Sequence, residues 1–296
     1  MGKRYLIINA DDFGMCSSHN EATFNLFECG GITSASLMVP CGWSKQAVRW
    51  WQKHKEYSVG VHLTFTSEWG GYRWGPVAPY GTDSLRDSEG YFHHECEAFE
   101  AQCEVSEVGN EIRAQISKAK NLGLEISHLD THMAALYGLC GNFDLMPKVF
   151  ELCSEYGYPF RMYRFPHEDY VPEGLDLPIP MYERFVRSYS NIADMYNVPI
   201  LDYLIYPECP QEAYKDYETF KRFVINRLVN IPDGVSETYI HPSLETDEIK
   251  NITAKWWRRV WEYQLFSDPE TRKVLESEGI ELINYDDLVK IRQGNR

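Results

Sequence analysis

What the chain lacks narrows its class first. Its eight cysteines, at positions 16, 29, 41, 96, 103, 140, 153 and 209, include no Cys-x-x-Cys pair. That excludes a zinc ribbon and favours reduced, packed thiols over a disulfide frame. Basic charge is in deficit, with 29 Lys and Arg against 44 Asp and Glu and a formal net charge of −15. Neither a nucleic acid nor an anionic membrane surface is therefore an expected partner; a neutral or cationic small molecule suits this surface better. No apolar run reaches membrane-spanning length, and Met1-Gly2-Lys3-Arg4 leads straight into a strand-length run too short for a signal-peptide core. A cytoplasmic location is the expectation. Repeats, low-complexity tracts and linkers are also missing, so the 296 residues are expected to form one domain, 1–296, in which a homodimer is left open.

What is present is organised around Ile7-Ile8-Asn9-Ala10-Asp11-Asp12-Phe13-Gly14, where an apolar run ends in two adjacent carboxylates. Two ionised neighbours at the end of a buried strand repel unless a cation compensates, and a metal ion is the obvious one. Residues 5–9 read as a first strand, and Ser18 with Glu21 reads as a capping box for the helix that follows. The acid pair thus falls in a βα turn, where barrels and open α/β sheets house their chemistry. A lone aspartate there would be read as a turn or cap residue.

Further along, residues 57–65 alternate so that Val59, Val61, Leu63 and Phe65 take one face and Gly60, His62 and Thr64 the other. Residues 67–99 carry no sustained period but many aromatics, among them Trp69, Tyr72, Trp74, Tyr80, Tyr91 and Phe92. Such an insertion reads either as functional, its rings stacking on a sugar face over an active-site mouth, or as an excursion with its own small core. His93, His94 and His167 read as ordinary surface or loop residues. In residues 124–132, read as a strand, His128, Asp130 and His132 share one face, too many polar groups to bury without a charge or metal. Strands are also expected over 159–164, with Arg161 and Arg164, over 199–206, over 235–242, ending in His241-Pro242, and over 280–284. About eight strands alternating with helices are the pattern of a parallel α/β barrel.

Asn9 to Gly14, Gly60-Val61-His62, Ser127-His128-Leu129-Asp130-Thr131-His132 and Ile240-His241-Pro242, in this order, resemble the YdjC-like family of carbohydrate deacetylases, which includes chitooligosaccharide deacetylases. The resemblance covers nearly the whole chain, including residues 84–92 and the Gly279-Ile280-Glu281-Leu282 ending. It implies a distorted (β/α) barrel related to polysaccharide deacetylases, one divalent metal ion, and hydrolysis of an N-acetyl group on an amino sugar. Carried over by position, Asp12, His62 and His132 resemble the metal ligands and Asp11 the catalytic base. His241 matches the family's late histidine and Arg161 an arginine after the fourth helix. The segment after His132, Met133-Ala134-Ala135-Leu136-Tyr137-Gly138, lacks the further histidines of some members, which bears on substrate identity.

Two imidazoles and a carboxylate suit zinc or another divalent transition metal, and magnesium less well on ligand softness. The roles that follow are Asp11 accepting the water's proton, and His241, standing protonated, supplying the amine or stabilising the oxyanion. Asp130 would orient His241 or a metal ligand from behind, and His128 is either a further partner of that kind or structural. A different class is also open: His128-Leu129-Asp130 with His241 spells the His-x-Asp…His triad of non-haem iron oxygenases, usually carried on an all-β fold. A sugar- or metal-binding relative without turnover is the third reading.

Overall fold

The structure, a computed structural model, describes residues 2–166, 179–205 and 209–294. Its centre is a parallel sheet of seven strands: β1 (Arg4–Phe13), β2 (Ser34–Leu37), β3 (Ser58–Leu63), β4 (Leu129–Thr131), β5 (Tyr203–Ile205), β6 (Gly234–Ile240) and β7 (Ile280–Leu282). The order is β4-β3-β2-β1-β6-β5, with β7 pairing the first residues of β1. Strands covered on both faces need continuous apolar runs, and Leu6, Ile7 and Ile8 are all buried. Single-residue parallel bridges, Leu129 to Phe160 and Tyr163 to Leu201, carry the pairing from β4 round to the chain entering β5. The sheet therefore curls into the expected distorted barrel.

Helices pack outside it: α1 (Ser17–Cys29), α2 (Ser44–Trp51), α3 (Cys96–Gln102), α4 (Val105–Leu122), α5 (Leu145–Tyr156), α6 (Ile179–Met195), α7 (Tyr217–Val229), α8 (Asp247–Ile252), α9 (Trp256–Ser267), α10 (Pro269–Ser277) and α11 (Tyr285–Gly294). Among the described residues, no helix is long and apolar enough to cross a membrane.

Several local expectations change. The segment 159–164 forms isolated bridges rather than a strand, and residues 124–128 precede rather than join β4. Residues 250–266, whose apolar spacing reads as one helix, are divided between two helices, α8 and α9. Ser18 and Glu21 make no capping box. The Glu248 carboxylate instead accepts from Ser17 N, Ser18 N and Ser18 Oγ, at 3.3, 2.9 and 3.0 Å, satisfying the start of α1 from across the fold. His167 lies outside the described residues.

The aromatic insertion is held by one face of α4. Glu111 accepts from Val77 N and Ala78 N, Glu107 from Ser84 N, and Gln115 bonds both backbone groups of Thr64. Trp74 and Phe92 are core residues, whereas Tyr80 and Tyr91 are exposed. His93, expected at the surface, is buried with Nε2 3.1 Å from the Ser84 carbonyl; His94 is exposed as expected.

Candidate active site

Adjacent residues of a regular strand face opposite ways, yet Asp11 and Asp12 both serve one cluster. The register explains it: Ala10 pairs with Ala35 but Phe13 with Leu37, so β1 carries one extra residue across this step. Such a bulge re-aims side chains. Asp12 takes φ 63°, a left-handed conformation that is uncommon for non-glycine residues, less so for aspartate, and that the surrounding structure must hold in place. Met133 and Ala134, just after His132, are left-handed as well, at φ 55° and 58°.

At the strand ends Asp12, His62 and His132 converge. His62 Nε2 and His132 Nδ1 lie 3.5 and 3.3 Å from Asp12 Oδ1, a fully buried oxygen with no hydrogen-bond partner among the described residues. Donors held about 2.1 Å from a tetrahedral ion would be about 3.4 Å apart. The arrangement thus fits a divalent metal ion, and the orphaned oxygen is what such an ion would satisfy. A second converging group is Asp11, His62 and Asp130, but its cation is already present. Arg161 donates to both oxygens of Asp11 at 2.7 and 2.6 Å, lies 2.9 Å from Asp130 Oδ2, and donates through Nε to Glu237 at 2.8 Å.

The sheet places Asp130 directly beside His62 in register, and its Oδ1 is 2.7 Å from His62 Nδ1. Asp130 therefore backs a metal-type ligand, not His241. Burial would lower the His62 pKa, but Asp130 and Asp11 outweigh it and raise the ring to about 10. His132 is likewise raised to about 9 against burial, by Glu68 and Asp12. Asp12 is held well below the carboxylate range: burial opposes this, and Arg259, whose guanidinium donates to Oδ2 at 2.8 Å, leads the groups that overcome it.

His241 differs from its expected state. Its ring is driven down to about 4, mainly by burial and also by Arg259, against the pull of Asp12. It stands neutral at neutral pH, and its backbone N–H donates to Glu262 at 2.6 Å. The His128 ring stacks on Tyr285 at 3.7 Å and 6°, in space that exists because Gly60 has no Cβ. The oxygenase triad does not assemble, since among the described residues neither His128 nor His241 falls in a converging ligand group.

Sequence reading missed Glu68, Glu237, Arg259, Glu262 and Tyr285. Glu237 carried a signal, being a carboxylate in the middle of a buried strand run; Tyr285 donates to its other oxygen. The others come from loop and helix positions with no local pattern. Aromatic rings reach the site from the insertion: Trp74 stands edge-on to His132 at 6.0 Å, Trp69 and Tyr72 pack on Trp74, and Arg259 lies over Trp69.

Fold and site together define a parallel α/β barrel with an Asp-His-His cluster of metal-binding type at the C-terminal ends of its strands. The chain belongs to the YdjC-like protein family, whose family model matches residues 5–277. Carbohydrate deacetylase of Thermus thermophilus is 30% identical over 280 residues, covering 93% of this chain and 90% of that protein. That of Thermoanaerobacter pseudethanolicus is 24% identical over 283 residues, covering 95% and 98%. A solved structure from Enterococcus faecalis V583, described as a cellobiose-phosphate cleavage protein, superposes with a TM-score of 0.77 at 24% identity, over 97% of this chain and 99% of that one, and shows the shared fold.

Proposed function

We propose that this protein is a metal-dependent carbohydrate deacetylase that hydrolyses the N-acetyl group of an amino sugar or short oligosaccharide, acting as one barrel domain. The observation that carries the reading is Asp12 Oδ1, unpartnered among the described residues and facing two imidazole nitrogens, beside a separately held carboxylate, Asp11. The names of its relatives support the substrate class.

Asp12, His62 and His132 would hold the ion, zinc suiting this donor set better than magnesium. When bound, it supplies polarisation of the acetyl carbonyl and acidification of a water. Asp11 is fitted to take that water's proton. Among the described residues its Oδ1 accepts from Arg161 and Asn9 and its Oδ2 only from Arg161, so of about four acceptor positions these leave one open, on Oδ2. Oδ2 is also the oxygen facing His62 Nε2, at 3.9 Å. The proton gained there is available for the departing amine. His241, being neutral, acts by donating a ring N–H to the developing oxyanion, which selects that role over a standing acid. Arg161 fixes the aim of Asp11. The rings of Trp69 and Tyr72 provide flat apolar surface of the kind sugar faces stack on.

Eight free thiols fit a reducing compartment and support a cytoplasmic location. An acetate-release screen over N-acetylated mono- and disaccharides, run with metal-loaded protein, tests the activity. Acetate and free amine should appear in equal amounts, and a chelator should stop both. Stoichiometric metal without acetate from any of these sugars would leave a binding protein without turnover.

A further inference from the structure

Each histidine of the cluster divides its two ring nitrogens between the metal-facing side and a carboxylate. In His62 the carboxylate is Asp130, fully buried in the barrel and fixed by strand register. For His132 it is Glu68, whose Oε2 lies 3.1 Å from Nε2 while Nδ1 faces Asp12 at 3.3 Å. A neutral imidazole carries one N–H, and a carboxylate on one nitrogen keeps the proton there and leaves the other free to ligate.

Glu68 differs from Asp130 in where it comes from. It belongs to the aromatic insertion, next to Trp69 and six residues before Trp74, whose ring borders His132. The residue before it is braced: Ser67 N donates to the His93 carbonyl at 2.8 Å, and Ser67 Oγ accepts from Trp74 N and Arg73 Nε at 3.0 and 3.1 Å. The insertion therefore presents this carboxylate from a defined position.

We propose that Glu68 is a positioning residue that holds His132 with Nδ1 toward the metal, and that through it the aromatic insertion and the metal site stabilise each other. The inference rests on the metal reading above. Linkage makes the effect reciprocal: whatever the insertion adds to metal affinity, bound metal adds to the order of the insertion.

The test is a Co(II) titration of the full chain against a chromophoric chelator, for wild type, Glu68→Gln and Glu68→Ala. Visible absorption would report coordination, near-UV circular dichroism the fold, and limited proteolysis the insertion. Wild type should bind one ion. Glu68→Ala should bind roughly 10- to 100-fold more weakly, the usual effect of losing such a partner, with an unchanged visible band shape. Glu68→Gln, whose amide oxygen still accepts from Nε2, should recover part of the loss. Cobalt should protect residues 67–99 from protease in wild type and less so in Glu68→Ala. Equal affinity in all three proteins overturns the proposal. So does an altered band shape in both variants, which would make Glu68 a ligand itself. Wild type that takes up no cobalt removes the metal reading, and this inference with it.

Discussion

Asp12 and Asp11 are neighbours with separate attachments, one bonded by Arg259 and the other gripped by Arg161. That separation permits one to be a ligand and the other a base. Asp11→Asn should keep metal and lose turnover by roughly 10²- to 10⁴-fold, the range for a general base; paired metal analysis and kcat measurement check it. His241→Ala should lower kcat by about 10²- to 10³-fold with little change in KM, as for an oxyanion donor. Arg161 compensates Asp11, Asp130 and Glu237, all buried. Arg161→Met should cost about 3–5 kcal/mol in denaturant unfolding, because it strands those carboxylates without their cation. Alternation set His62 on the face opposite Val59, Val61 and Leu63 and put His132 on one face with His128 and Asp130, but the ligand role proposed for the two histidines came from the family resemblance, not from the period. Arg259 was not legible in the sequence, because Trp256-Trp257-Arg258-Arg259 reads as helix packing and its partner Asp12 lies 247 residues away.

At the scale of elements, the bulge in β1 and the β3–β4 register do most to place the site, and α4 does most to place the insertion. The alternation of strands and helices was readable from apolar period alone. Their lengths were not, since β4 keeps only Leu129–Thr131 and residues 159–164 pair at single points: near the mouth of a curled sheet, backbone bonds follow curvature that side-chain pattern does not report. The bonds from Glu107 and Glu111 to the insertion were equally hidden, because an acidic residue on an amphipathic helix reads as solvated surface. Glu111→Ala removes the acceptor for two backbone N–H groups and should cost about 1–3 kcal/mol. Protease cleavage should then concentrate in residues 67–99, detected by mass spectrometry; cleavage unchanged from wild type would count against α4 as the anchor.

For the whole molecule, buried charge sets the pH response. Glu262 is pushed up to about 7, chiefly by burial and despite the His241 N–H and Arg259. A carboxyl raised on folding gives stability that is fully present below its unfolded pKa, about 4.3, and is lost as pH rises through the folded value. Glu262→Gln should therefore flatten the fall in Tm between pH 5 and 8 and raise Tm relative to wild type at pH 8. His62 and His132, raised to about 10 and 9, give stability present below about pH 6.5 that is lost as pH climbs through those values. Metal must displace their protons, so uptake at pH 7 should release about two protons per ion, measured by calorimetry in buffers of different ionisation enthalpy. The most direct test of the whole reading is acetate release from N,N′-diacetylchitobiose by wild type and His132→Ala, with metal content measured in the same samples. Wild type should hold one divalent ion and release acetate with an equal amount of free amine, while the folded variant should lose both ion and turnover. A variant that keeps turnover after losing its ion, or a metal-loaded wild type that releases no acetate, would contradict it.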